Sequence, residues 1–431
     1  MSLVSDSGHS STTASPVTSS GGWAGTLFEA GLDIAALLFL PILSLSSHAV
    51  APLVAFAGLM ALGRAWPLDR AALRTIRIPA LLCVALVVWG SISAAWAIDP
   101  SRSFLIAARL AGLFAAALAL AVAAGRITGP GRLAGCFVGG LLLALLLAEI
   151  QFASNGMLTR PFFEHIFIPP NLNQLADALA ILTLPAAAML LAQRRLFLAT
   201  LAAVLAAAAV YHFVGSAAKI GFAVALLALV LFRLGGSNLV RVAAVLSVLV
   251  VLAAPVTLPR LAQSPWVSQD AEQVKFSLWH RFQIWAFVGD RIAERPLLGW
   301  GLDSSRAIPG GRVEIRPGAQ HLPLHPHDAA LQIWLELGLP GALILAGVAA
   351  WLWLGLARVD WPPLYTATAA AALATALFAA LGTYGIWQEW WIATLSLALF
   401  LVLVMARLAV AGAETTAVSP SPALRAARSR T

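Results

Sequence analysis

The residues best suited to chemistry lie in the last third of the chain. His321-Leu-Pro-Leu-His325-Pro-His327-Asp328 runs into Ala-Ala-Leu-Gln-Ile-Trp-Leu-Glu336-Leu-Gly338-Leu-Pro-Gly341. Pro326 stops any earlier helix, and Asp328 suits an N-cap or first-turn position, so His327 falls at a helix N-terminus. The positive end of the helix lowers an imidazole pKa, and the adjacent carboxylate raises it. A mostly neutral ring there can take a proton from a hydroxyl. An interfacial histidine that merely caps the helix fits the same residues. Three histidines so close together also raise the question of a metal, but the spacing follows no zinc signature and the loop is broken by proline.

Cations form the second group. Lys219 follows Tyr211-His-Phe-Val-Gly-Ser216-Ala-Ala and enters an apolar run, where a charge costs a few kcal/mol unless it snorkels or meets an anion. In Trp279-His280-Arg281-Phe282-Gln283-Ile284-Trp285, Arg281 and Trp285 share one helix face at i, i+4. Arginine suits bidentate recognition of phosphate, and tryptophan suits an interface or the face of a sugar. A cation–π pair anchoring an interfacial helix is the plainer reading. Pro296-Leu-Leu-Gly299-Trp300-Gly301 reads as a tight turn, followed by Arg306, Arg312 and Arg316, which spacing alone does not rank. Arg109, Glu149, Asp177 and Glu336 lie within apolar runs, and Arg109 is expected to pair with one of those carboxylates. Glu336 falls on the helix face opposite His327. No phosphate-loop or dinucleotide-binding glycine pattern occurs.

The elements that must position these groups are membrane spans. Of 431 residues, 60% are hydrophobic and 11% charged, with a mean hydropathy of +0.87. Soluble domains carry about 25% charged residues, so a soluble enzyme and a disordered protein are both excluded. With about 20 apolar residues per crossing, the runs predict twelve helices, at 27–45, 50–66, 79–98, 104–124, 133–152, 175–192, 196–213, 216–232, 242–258, 329–357, 364–381 and 392–410. Residues 1–26, rich in Ser and Thr, read as a disordered cytoplasmic tail rather than a cleavable signal, and 411–431 as a second, arginine-bearing tail. Cys83 and Cys136 both sit in apolar runs and indicate no disulfide framework. The net charge is +8, and Lys219 and Lys275 are the two lysines. The arginines punctuate apolar runs instead of forming a stripe, which argues for topology and anionic lipids over nucleic acid.

Placing both termini in the cytoplasm puts Arg64, Arg70, Arg74, Arg77, Arg126, Arg132, Arg194, Arg195, Arg233, Arg241, Arg358, Arg407 and the tail arginines Arg425, Arg428 and Arg430 inside. The long loop 259–328 then faces outward, and 276–292 is predicted to be an amphipathic helix with Leu278, Phe282, Trp285, Ala286 and Val288 apolar.

Together these segments resemble the O-antigen ligase / O-antigen polymerase family of bacterial envelope proteins. His327-Asp328, nine residues, then Gly338-Leu-Pro-Gly341 is similar to the family's His, Asn/Ser/Gln, nine residues, Gly-x-x-Gly pattern. Arg281 with Trp285, followed by Glu294-Arg-Pro-Leu-Leu-Gly-Trp-Gly301, looks like the start of its large periplasmic loop. Ser216-Ala-Ala-Lys219-Ile-Gly221, Pro170-Asn171-Leu-Asn173-Gln-Leu-Ala176 and Ala95-Trp96-Ala-Ile-Asp99-Pro100 resemble further segments in the same order. Asp328 stands where the family usually has an amide or Ser, Lys219 where Arg is common, and Ala-Leu follows Gly341 where ligases often have Thr-Gln.

The resemblance implies an all-α, GT-C-like integral membrane protein of the bacterial inner membrane with one large periplasmic loop. The donor it implies is a glycan on undecaprenyl diphosphate, transferred with inversion to a lipid A core sugar without nucleotide, metal or cofactor. Polymerases of the family instead join lipid-linked repeat units. His327 would activate the acceptor hydroxyl, and Arg281 and Lys219 would stabilise the departing diphosphate. Trp285, Trp300, Asp328, His325, Arg306, Arg312 and Arg316 complete the expected substrate contacts. A twelve-helix secondary transporter is the rival from another class. Its long link would normally lie mid-chain on the cytoplasmic side.

Overall fold

The computed structural model describes residues 23–160, 172–213, 215–265, 267 and 275–418, and their side chains up to residue 412. The expected N-terminal tail up to residue 22, Pro170-Asn171 and the arginines beyond residue 418 lie outside the described residues.

The chain is an all-α protein. Its helices are α1 (Trp23–Leu45), α2 (Val50–Ala65), α3 (Arg70–Ser93), α4 (Pro100–Ala124), α5 (Pro130–Ala153), α6 (Asn173–Ala192), α7 (Leu196–His212), α8 (Ser216–Ala262), α9 (Phe276–Glu294), α10 (Ala329–Leu356), α11 (Pro363–Ala380) and α12 (Glu389–Val418). Among the described residues, the only strands are β1 (Glu314–Arg316) and β2 (Ala319–Gln320), a small antiparallel hairpin between α9 and α10. Ten of the described helices are long and apolar enough to cross a membrane. In lipid, helices satisfy their own backbone hydrogen bonds, which is why apolar runs of this length adopt them.

The expected count of twelve differs from these ten at two places. Helix α7 is apolar but has 17 residues, fewer than any of the ten spans, the second of which takes in the turn at Ser47–Ala49 ahead of α2. The eighth and ninth expected spans belong to one helix, α8, of 47 residues. At about 1.5 Å per residue such a helix exceeds twice the hydrocarbon thickness of about 30 Å. It breaks at Gly236, where φ is 54°. On one side of the break the Phe232 ring lies 5.3 Å from that of Trp353, and on the other Ser247 Oγ accepts from Trp353 Nε1 at 2.9 Å. In a straight helix those two residues would stand about 22 Å apart, so the arms fold back on each other at the glycine.

The ends of the bundle are chemically distinct. At the end that carries the start of α1, Glu29 pairs with Arg64 at 2.8 Å and with Arg132 at 3.3 Å, and Arg132 also holds Asp33. Arg126 reaches Asp69, and Arg407 donates to the carbonyls of Ala124 and Ile127. These are arginines that charge asymmetry assigns to one side. At the other end the turn after α3 meets the long loop. Leu302 N donates to Ser93 Oγ at 3.0 Å, Ser103 Oγ donates to the Leu302 carbonyl at 2.7 Å, and Arg102 pairs with Asp303 at 2.5 Å. Arg109 pairs with Glu389 at 2.6 Å and not, as expected, with Glu149, Asp177 or Glu336. Glu389 opens the last helix, 280 residues on, and no local spacing points to it.

The Gly-x-x-Gly segment has a backbone explanation. α10 breaks at Gly338 (φ 61°), and a Cβ there would sit 2.4 Å from the Leu297 carbonyl oxygen. Gly299 faces it from the loop with φ 69°, and a Cβ there would lie 2.5 Å from the Glu336 carbonyl. Glycine is required on both sides. The carbonyls near the break find new donors: Trp300 N to Leu335 O, Gly301 N to Glu336 O, and Trp89 Nε1 to Leu337 O. The loop turn is thus stitched to the middle of a spanning helix, which fixes everything between them.

Candidate functional site

The site lies at the loop end, where α9, the segment before α10, the start of α6 and the turn between α11 and α12 converge. Asp328 caps α10 by accepting from Leu331 N at 2.8 Å, as its sequence position predicts. Burial pushes its carboxyl up to about 7, against the two backbone N–H groups that favour the charge.

His327 precedes the cap in the left-handed region, with φ 56°. That backbone conformation costs a non-glycine residue of order 1 kcal/mol. It turns the backbone N–H of His327 onto His325 Nδ1 at 3.2 Å and brings the two rings to 4.3 Å. His327 Nδ1 lies 2.6 Å from the Thr383 carbonyl oxygen. A carbonyl only accepts, so Nδ1 carries the hydrogen and Nε2 presents its lone pair. Burial, followed by the charges of Arg281 and His280, holds His327 down to about 4, opposed by the Thr383 carbonyl. His325 is held to about 3 by burial and then by His327, Arg306 and Arg281. Both rings are therefore neutral at pH 7.

Arg281 is half-buried on α9. Burial pulls its pKa down, opposed by Tyr384 and Asp177, and it stays charged as guanidinium does. Among the described residues it makes no hydrogen bond or ion pair. A half-buried guanidinium with no partner among the described residues, beside two neutral imidazoles, has the chemistry to accept an anion. Trp285, one turn along the same face, donates Nε1 to the Pro326 carbonyl at 3.1 Å and so ties α9 to the histidine segment. The buried face of α9 is Trp279, Phe282, Ile284, Val288 and Ile292. Leu278, expected within it, is exposed.

The other expected residues are spread around this centre. Arg306 lies 3.5 Å from Asp303 and acts electrostatically on His325. Arg312 is exposed beside Ile308 and Val313. Arg316 stacks over Trp279 at 4.2 Å. Trp300 is buried, donating Nε1 to the Arg291 carbonyl beneath the Arg295 guanidinium. His321 stacks on Phe287 and does not join the other two histidines. Among the described residues, Lys219 makes no hydrogen bond or ion pair with His327 or Arg281. Its end of α8 nonetheless adjoins the site through α6. A Cβ at Gly215 would lie 2.8 Å from Asn173 Oδ1, and Asp177, one turn further along α6, reaches Tyr384. Lys275 Nζ donates to Ser216 Oγ at this same end.

Sequence reasoning assigned nothing to residues 382–388, yet this turn forms one wall. Besides the Thr383 carbonyl, Tyr384 donates to Asp177 at 2.8 Å, Ile386 N donates to Gln332 Oε1 at 3.0 Å, and Trp387 Nε1 donates to Glu336 Oε2 at 2.5 Å. Its one signal is a tyrosine between glycines in a chain with three tyrosines.

Glu336 is the hidden anchor. It is 0% exposed and accepts from Asp303 N, Ser305 Oγ, Gln332 Nε2 and Trp387 Nε1. Replacing it with alanine leaves four donors without their acceptor. The protein is expected to lose about 3–5 kcal/mol, read as a lowered unfolding midpoint by tryptophan fluorescence in detergent. A change under about 1 kcal/mol would contradict this anchoring role.

Residues 178–346 match a family model described as O-antigen ligase. Relatives carrying the name "Putative polysaccharide ligase" include one from Rickettsia prowazekii, 30% identical over 260 residues, covering 59% of this chain and 63% of that protein. One from Rickettsia conorii is 28% identical over 259 residues, covering 59% and 62%. A third, from Rickettsia bellii, is 38% identical over 121 residues, covering 27% and 29%. The chain thus spans less than two thirds of the length of these relatives. No solved structure matches it. The family match and the named relatives together make the chain similar to O-antigen ligase-like proteins over its middle and later part.

Proposed function

We propose that this protein transfers a glycan from undecaprenyl diphosphate to a hydroxyl of a lipid A core sugar at the periplasmic face of the inner membrane. The observation that carries the reading is the Arg281 guanidinium, which pairs with none of the described residues, beside His327, whose Nδ1 is held by the Thr383 carbonyl so that Nε2 keeps its lone pair. The acceptor oxygen attacks the anomeric carbon as its proton passes to His327 Nε2. The bond from that carbon to the diphosphate oxygen breaks, and the leaving diphosphate takes the electron pair. Arg281 neutralises the charge that develops there. Inversion follows from direct displacement on the face opposite the diphosphate. Lys219 and Lys275 add positive charge at the neighbouring end of α8, where a lipid-anchored anion approaches.

The charge of Arg281 explains how a weak base becomes adequate when the donor binds. Part of the depression of His327 comes from Arg281. A diphosphate on Arg281 cancels that charge and raises the imidazole toward the working pH. The acid limb of kcat/KM, which reports free enzyme, is expected near pH 4, with transfer retained above it and lost below. The limb of kcat is expected at higher pH. Coincident limbs would show that the bound donor does not act on His327.

The decisive experiment is reconstitution of the purified protein with lipid-linked glycan and lipid A core, scored by the glycan on lipid A. In cells, gene deletion should leave lipid-linked chains accumulating and lipid A bare. A single capped repeat unit on lipid A would instead indicate a polymerase, and unchanged glycan would dismiss both.

A further inference from the structure

Asp177 is a buried acid that the proposed reaction leaves unused. It is 4% exposed, and its hydrogen-bond partner is the Tyr384 hydroxyl, 2.8 Å from Oδ2. Arg281 lies within electrostatic range of both groups, yet no ion pair joins it to Asp177. In a half-buried site, opposite charges free to move would close to contact. Something holds this pair apart.

The geometry points to Tyr384. Its hydroxyl occupies the carboxylate, and burial and Asp177 hold that hydroxyl above its ordinary pKa, so it remains a donor. Its ring stands edge-on to Trp390 at 4.6 Å. The flanking residues are fixed as well. Thr383 is bonded to His327, a Cβ on Gly385 would lie 3.0 Å from the His325 ring, and Ile386 and Trp387 are bonded to α10. A turn pinned at successive residues has little freedom to let the phenol follow the carboxylate elsewhere.

We propose that Tyr384 is a positioning residue that holds the Asp177 carboxylate off Arg281 and so keeps the guanidinium open for the donor diphosphate. This rests on the reading of Arg281 as the diphosphate contact. Without the hydroxyl, Asp177 closes onto Arg281 and competes with the donor.

The test uses full-length protein in detergent, with farnesyl diphosphate as the probe and tryptophan fluorescence as the readout. Tyr384→Phe is expected to weaken probe binding about tenfold, and to raise the donor KM similarly with kcat little changed. The double variant Tyr384→Phe/Asp177→Asn is expected to recover parental affinity, because the competing charge is gone. Asp177→Asn alone is expected to bind at least as tightly as the parent, and this arm holds even if Tyr384→Phe fails to fold. Full affinity in Tyr384→Phe, no recovery in the double variant, or a tenfold loss in Asp177→Asn would each overturn the role of Tyr384. Arg281→Ala separates the two readings. If it abolishes binding while Tyr384→Phe does not, only the tyrosine assignment falls. If it binds as the parent does, the diphosphate assignment falls and takes the tyrosine with it.

Discussion

Replacing His327 with asparagine is expected to abolish glycan transfer while leaving the fold and donor binding intact. The imidazole has two separable jobs. Nδ1–H donates to the Thr383 carbonyl, and in the proposed reaction Nε2 takes the acceptor's proton. The asparagine amide places its own N–H close to the Nδ1 position and offers nothing at Nε2. Asparagine also tolerates the left-handed backbone that His327 adopts at φ 56°. His327→Asn should therefore unfold no more easily than the parent. His327→Ala removes both jobs, leaves the Thr383 carbonyl unpaired at about 1–3 kcal/mol, and confounds stability with chemistry. Loss of a positioned general base costs about 10²–10⁴ in rate. The measurement is transfer from lipid-linked donor in membranes, beside probe affinity and the thermal midpoint. A histidine that only caps and packs predicts the reverse, with transfer surviving in the asparagine variant. Transfer above about a tenth of the parental rate would assign His327 that lesser role.

That histidine was legible because its cues are local. Proline stops the preceding segment, aspartate starts the next, and the ring between them has one place to go. Arg281 and Trp285 were legible for the same reason, since a helical repeat fixes which side chains share a face. What closes the site was not. Thr383 reaches His327 across 56 residues, and Tyr384 reaches Asp177 across 207, contacts set by packing of whole helices. Residue type also misled. Trp300 is the kind of side chain that lines a sugar path, yet its N–H is spent on the Arg291 carbonyl within the core. The fold shows the same division. Helical runs were readable from hydropathy, but the segment between Phe232 and Val242 reads as a polar link when the backbone stays helical up to and beyond Gly236. Gly-Gly-Ser-Asn has no proline to end the helix, so a single left-handed glycine makes the fold-back.

Arg281→Ala should weaken donor binding by about 10² or more, since two charge-assisted contacts to a diphosphate contribute about 1.5–3 kcal/mol each. Its second effect carries the opposite sign. The guanidinium is half-buried, and among the described residues it has no ion pair or hydrogen bond to offset its desolvation. Removing it should leave the thermal midpoint unchanged or raise it, the signature of a residue kept for function at some cost in stability. A third consequence follows from charge alone. Arg281 helps hold His327 near 4, so in the alanine variant the acid limb of kcat/KM should move to higher pH. Arg281→Lys keeps the charge and loses the fork. It should recover part of the affinity and return the acid limb toward the parental position. A purely structural arginine predicts none of this pattern: its loss would lower the midpoint and leave probe affinity alone. Calorimetry of farnesyl diphosphate binding, paired with thermal unfolding of the same preparations, separates the two. Parental affinity together with a midpoint lowered by several degrees would mean that no anion is held at this arginine.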